Sequence, residues 1–88
     1  MNAFIEHHQQ AIRYYQQSLT LLHSVGNTSG AARTFDSLGH PHVALSEHEQ
    51  ARVAWREALQ LYREQGRDIE AERIQQQLDT LDQQMNIK

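Results

Sequence analysis

The sequence contains no cysteine, one proline and four glycines, and its uninterrupted apolar runs are short. The absence of cysteine excludes disulfides, thiolate zinc sites and cysteine nucleophiles, so packing must stabilise the fold. The apolar runs fall far short of the roughly 18 residues that span a bilayer. A net charge of −3 provides no cationic surface for nucleic acid. We therefore expect a cytoplasmic protein with no membrane or nucleic-acid partner.

The spacing of apolar residues predicts an all-α fold. Such residues recur every three or four positions in successive segments and nowhere alternate as they do in strands. Four helices are predicted near residues 3–24, 29–44, 47–65 and 68–85, in one domain spanning 1–88. Gly26 is expected to end the first helix in a left-handed conformation. Ser46 with Glu49 is typical of a capping box that starts the third helix, and Asp68 is the expected N-cap of the fourth.

The chain repeats itself with an offset of forty residues. Over positions 8–38 and 48–78 the identical pairs are His8/His48, Gln10/Gln50, Ala11/Ala51, Leu19/Leu59, Leu21/Leu61, Gly26/Gly66, Ala31/Ala71, Arg33/Arg73 and Leu38/Leu78. Most of them lie on the apolar stripes, at the helix-ending glycine or at one arginine. Duplication of a helix-turn-helix unit would retain such positions. The sequence therefore predicts antiparallel helix-turn-helix repeats that stack as an α-solenoid.

The repeating unit resembles a tetratricopeptide repeat. The residues that carry the resemblance are Phe35, Leu38 and Gly39 in the opening helix and Ala51, Trp55 and Ala58 in the closing helix. His42 stands where the family usually has tyrosine, and the period is forty residues rather than ~34. The segment "YREQGRDIEAERIQQQL" is similar to the C-terminal repeat arrays of bacterial transcriptional regulators that carry an NB-ARC-like nucleotide-binding module. The resemblance implies a non-catalytic protein–protein interaction module of a bacterial signalling or transcriptional regulator.

In this family the opening helices line a surface that binds a protein or peptide. Carried over position by position, the resemblance implies the following partner-binding residues: Arg33, Asp36, His40, Val43, Arg73, Gln76 and Thr80. Arg33 and Arg73 would together hold a carboxylate or an extended acidic segment through bidentate hydrogen bonds. The alternative is that the two arginines pair with acidic side chains of the chain itself, such as Asp36, Glu70 or Glu72.

The order of the helices predicts exposed faces at both ends. The chain begins with a closing helix and ends with an opening helix, and repeat units need neighbours to cover their faces. We expect either a segment of a longer array or a short protein completed by self-association, as a homodimer formed by helix exchange or end-to-end packing. The residues expected at that contact are Phe4, Ile5, Ile12, Tyr14, Met85 and Ile87. Self-assembly is the alternative function.

The histidines and the proline do not indicate a metal site or a catalytic site. His40 and His42 would point about 200° apart on a helix, and the other histidines lack the spacing of helical metal ligands. We expect no metal or other cofactor, and we expect His42 and His48 to pack between helices. The segment "GNTSG" lacks the lysine of a phosphate-binding loop, so no enzymatic activity is expected. Pro41 has no amide proton, which predicts a kink or an early helix end at His40 to Pro41.

Overall fold

The computed structural model describes residues 2–85 and contains four α-helices in that range. They are α1 (Ala3–Ser24), α2 (Thr28–Ala44), α3 (His48–Glu64) and α4 (Asp68–Met85). Their bounds differ from the predicted ones by at most one residue. Each helix packs extensively against its neighbours in the sequence. Because each connection contains only three residues, consecutive helices run antiparallel. The predicted all-α, helix-turn-helix fold is confirmed.

The three turns have the same construction and recur every twenty residues. Each contains one residue with a positive φ angle: Gly26 at 71°, Ser46 at 59° and Gly66 at 69°. The amide of the following residue donates to a carbonyl five positions earlier, as in a Schellman motif. These bonds are Asn27 N to Leu22 O at 2.9 Å, Glu47 N to His42 O at 2.8 Å and Arg67 N to Tyr62 O at 2.8 Å. The forty-residue repeat therefore consists of two helix-turn units of equal length.

Neither Ser46 nor Asp68 is the N-cap that was predicted. Glu47 is the N-cap of α3, where no side chain caps the helix, so the predicted capping box at Ser46 is wrong. Ser46 instead ends α2 in the left-handed conformation that glycine adopts in the other two turns. Asp68 is the first residue within α4, and the carbonyl of Arg67 accepts the first helical bond from Ala71 N at 3.0 Å.

Pro41 does not end α2 early. The helix continues through the buried Pro41 to Ala44, so the predicted early end at His40 to Pro41 is wrong, whereas the alternative of a kink there stays a prediction. The missing amide removes one bond, to the carbonyl of Ser37, and three helical residues follow. The carbonyl of Pro41 still accepts from Leu45 N at 3.1 Å. Pro41 lies in the last turn of the helix, and its ring is buried.

The core is centred on α3. One buried cluster joins α3 to α2 and α4, and its largest fully buried side chains are Tyr62, Ile74 and Leu81. A smaller cluster joins Ile12 of α1 to Leu38 of α2 and Ala54 of α3. Ile12 is the only buried residue of α1. The first helix is therefore held by far less apolar burial than α3.

Candidate functional site

Asp36 connects three helices at the centre of the molecule. It lies on α2 and is buried. Its carboxylate accepts from Arg73 of α4, with Nη1 to Oδ1 at 3.3 Å and Nη2 to Oδ2 at 2.5 Å. Tyr62 of α3 donates its hydroxyl to Oδ2 at 2.9 Å. The indole Nε1 of Trp55 donates to the backbone carbonyl of Asp36 at 3.0 Å. Because both carboxylate oxygens are bonded, the buried charge is compensated.

The same cluster raises the pKa values of Tyr62 and Arg73. Burial, followed by the hydrogen bond to Asp36, raises the pKa of Tyr62 to about 12. The hydrogen bond to Asp36 also raises the pKa of Arg73 above its ordinary value, against the opposing effect of burial. At neutral pH the guanidinium and the phenol therefore both remain protonated donors to the carboxylate.

An open groove of about 380 Å³ lies beside this cluster. We call it the α2–α4 groove. Its lining residues are His40 and Val43 of α2, Trp55 of α3, and Arg73, Gln76, Gln77, Thr80, Leu81 and Gln84 of α4. The groove thus combines apolar side chains with a row of amide and hydroxyl groups contributed by one helix.

The polar groups of this groove suit neutral hydrogen-bonding partners. The guanidinium of Arg73 is occupied by Asp36. The exposed His40 packs edge-on against the ring of Trp55 at 5.4 Å between centroids. Oε1 of Gln77 is buried and accepts no hydrogen bond from residues 2–85. A buried acceptor without a donor costs about 1–3 kcal/mol. The exposed Gln76 and Thr80 can donate to and accept from a bound ligand.

The structure brings together five of the seven predicted partner-binding residues. His40, Val43, Arg73, Gln76 and Thr80 all line the α2–α4 groove. Sequence reasoning missed the other four residues of that lining. They are Trp55, Gln77, Leu81 and Gln84. The resemblance marked Trp55 only as a residue of the closing helix, whereas the three- and four-residue spacing from Arg73 along α4 could have identified Gln77 and Gln84.

Asp36 and Arg33 lie elsewhere than predicted. Asp36 is a buried partner of Arg73 and is not available to a ligand, which agrees with the alternative of pairing within the chain for Arg73. Arg33 is exposed and lines a separate groove between α1 and α2. A carboxylate held jointly by Arg33 and Arg73 is therefore not supported by this arrangement.

His42 and His48, which were predicted to pack between helices, differ in burial. His42 is buried, and its Nδ1 lies 2.9 Å from Oε1 of Glu47. His48 is half-buried. Among residues 2–85 no group of three or more His, Asp or Glu side chains could hold a metal ion. No helix in this range combines the length and the apolar character needed to cross a membrane.

Comparison with protein-family models, with curated proteins and with solved structures found no match to this chain.

Proposed function

We propose that this chain is a non-catalytic protein-interaction module of tetratricopeptide type that binds an extended protein segment in the α2–α4 groove. The observation that carries the proposal is the gathering of His40, Val43, Arg73, Gln76 and Thr80 beside the ring of Trp55. Clefts with an apolar base and a few convergent polar groups are typical of binding sites. The glutamine amides of α4 can donate to and accept from the backbone of an extended segment.

The charge of the groove determines which kind of extended segment can bind there. Arg73 is paired with Asp36, so the groove offers no free carboxylate-binding arginine among its lining residues. The segment is therefore expected to be neutral and to place one apolar side chain against Trp55, Val43 and Leu81. Its backbone N–H groups would meet acceptors such as the exposed side-chain amide of Gln76. This replaces the acidic ligand predicted from the two arginines.

The kind of protein in which the module works is inferred from the sequence pattern. The forty-residue period and the ending "YREQGRDIEAERIQQQL" resemble repeat arrays of bacterial transcriptional regulators. We propose that the module acts in a regulator of that kind, where a helical array receives a signalling partner. The twenty-residue spacing of the three turns agrees with a stacked helical repeat.

The proposal is tested with a displayed library of short extended peptides selected on the full chain. The double variant Gln76→Ala/Thr80→Ala changes two exposed groove residues and should lower the affinity of selected peptides at least tenfold in calorimetric titration. Gln83→Ala is the matched control, because Gln83 is exposed on α4 and does not line this groove. Equal affinities for the two variants, with helicity unchanged, would contradict peptide binding in this groove.

Self-assembly is the second candidate, and it is favoured by the apolar residues exposed on α1. The side chains of Phe4, Tyr14 and Leu21 are 56, 65 and 69% exposed. Ile12, by contrast, is buried and cannot contribute to a contact as predicted. The side chain of Met85 and the whole of Ile87, also predicted at the contact, lie outside the described residues. Light scattering that shows a monomer across the micromolar range would exclude self-assembly.

A further inference from the structure

A second groove, of about 470 Å³, lies between the first two helices. We call it the α1–α2 groove. Its lining residues are Tyr14, Tyr15, Ser18, Leu21, Leu22, Asn27, Gly30, Arg33, Thr34 and Ser37. Tyr14, Leu21 and Arg33 are exposed there. Arg33 makes no hydrogen bond or ion pair within residues 2–85. This groove does not overlap the α2–α4 groove and plays no part in the function proposed above.

The internal repeat identifies what this surface corresponds to. In the forty-residue repeat, Tyr15, Leu22 and Arg33 correspond to Trp55, Tyr62 and Arg73. In the second unit all three residues contact α2, although Trp55 and Arg73 also line the α2–α4 groove beside it. Trp55, Tyr62 and Arg73 all donate hydrogen bonds to Asp36 of α2. The α1–α2 groove is therefore the repeat counterpart of a surface that already receives an α-helix in this molecule.

The features that let α2 fit its own site define the chemistry of such a helix. Asp36 supplies the carboxylate that Arg73 binds. Three residues later, Gly39 allows the backbone to approach Trp55, since a Cβ at that position would overlap the indole. Leu38 packs against Ala54. In the first unit Tyr14 replaces Ala54, so the facing residue of an incoming helix must be smaller than leucine.

We propose that the α1–α2 groove is a docking site for an amphipathic α-helix of a partner protein. That helix presents an aspartate or glutamate to Arg33 and a glycine or alanine to Tyr14 and Tyr15. Arg33 provides the charge complementarity, because it is an exposed guanidinium at the edge of an aromatic and apolar surface. Tyr14 and Leu21 provide apolar area that a helix face would cover, and tyrosine and arginine are enriched among the residues that contribute most to protein–protein binding.

The fourth helix of a second copy does not have this chemistry. At the positions that correspond to Ala32, Gly39 and Val43 of α2, α4 carries Glu72, Asp79 and Gln83. Those side chains are exposed, and they would place two carboxylates and an amide where the covering helix has small or apolar groups. At the position of Asp36, α4 has Gln76, which carries no charge for Arg33. A partner helix therefore fits this groove better than a second copy.

The test uses a peptide with the sequence of residues 27–47 carrying Leu38→Ala, held helical by a lactam bridge on its outward face. It is titrated into the isotope-labelled full chain and followed by NMR. We expect saturable shifts at Ser18, Leu21 and Arg33. Arg33→Gln in the protein should weaken binding roughly tenfold, the loss expected for one charge-assisted bond. Asp36→Asn in the peptide should cause the same loss on the unchanged protein and no further loss on Arg33→Gln.

Arg13→Gln is the matched control, because Arg13 is exposed on α1 and does not line the groove. The proposal is overturned if no saturable shift occurs, if shifts map to His40 and Thr80, or if Arg13→Gln weakens binding as much as Arg33→Gln. Sedimentation provides a second test. A dimer of the unchanged chain that Arg33→Gln disrupts would make a second copy the occupant, and would also overturn the proposal.

Discussion

Replacing Gly39 by alanine tests the closest approach between α2 and α3. A glycine in the middle of a helix usually costs about 1 kcal/mol relative to alanine. If residue 39 faced solvent, Gly39→Ala would therefore stabilise the protein. Here a Cβ on residue 39 would overlap the indole of Trp55 at Nε1, Cε2 and Cδ1. These atoms belong to a rigid buried ring, so the indole or the helix must move. We therefore expect the substitution to destabilise the protein.

The magnitude follows from the contacts that would be lost. Moving the indole breaks its hydrogen bond to the carbonyl of Asp36, now 3.0 Å long, and an unsatisfied buried group costs about 1–3 kcal/mol. Overpacking adds about 1–3 kcal/mol. Subtracting the gain in helix propensity of about 1 kcal/mol leaves a decrease of about 1–5 kcal/mol in the free energy of unfolding. That is a large fraction of the stability of so small a domain.

Urea unfolding measures this change, followed by circular dichroism and by the fluorescence of Trp55, the only tryptophan. Gly30→Ala is the matched control on the same helix. Its new Cβ would lie 2.8 Å from Cδ2 of Leu22 and 3.1 Å from Cγ of Asn27. A leucine methyl can rotate away, so we expect a change within about 1 kcal/mol. If Gly39→Ala is as stable as the unchanged chain, the close packing of Gly39 on Trp55 is refuted.

Two further predictions concern the turns and the Asp36 cluster. Ser46→Gly should raise the free energy of unfolding by about 1 kcal/mol, since Ser46 has a φ of 59°. Gly66→Ala should lower it by a similar amount, since Gly66 has a φ of 69°; melting temperatures that shift in the same direction for both variants would contradict this. Folding raises the pKa of Tyr62 from its ordinary value of 10.0 to about 12, so the protonated phenol stabilises the folded state. That stabilisation is complete below pH 10 and is lost as the pH rises from 10 to 12. Tyr62→Phe should therefore flatten the fall in stability between pH 10 and pH 12, measured by urea unfolding at each pH; an unchanged slope would show that another group titrates there.

Local features of the chain could be predicted from the sequence. The helix spans could be predicted because they follow from the spacing of apolar residues. The turns at Gly26 and Gly66 could be predicted because glycine adopts a positive φ at low cost. Ser46 was assigned incorrectly because Ser-x-x-Glu matches a capping box. The signal for the correct assignment was present, since Ser46 lies midway between two glycines that end helices forty residues apart.

The candidate site depended on geometry that spacing does not contain. Arg33 and Arg73 hold the same repeat position but have different surroundings, because α2 provides Asp36 to Arg73 and no described helix provides an acid to Arg33. Asp36 was placed on a binding surface, whereas its side chain reaches Tyr62 and Arg73 on two other helices. Such contacts between three helices follow from their packing angles and not from the pattern along any one of them.

The contacts of Asp36 have a consequence for the cooperativity of unfolding. A stack in which each helix meets only its sequence neighbours can open from either end, one helix at a time. Detaching α4 here would also strip Arg73 from a buried carboxylate, so α2, α3 and α4 should open together. The first helix makes no such bond to Asp36 and buries only Ile12. The carboxylate therefore sets the boundary of the cooperative unit between α1 and the remaining three helices.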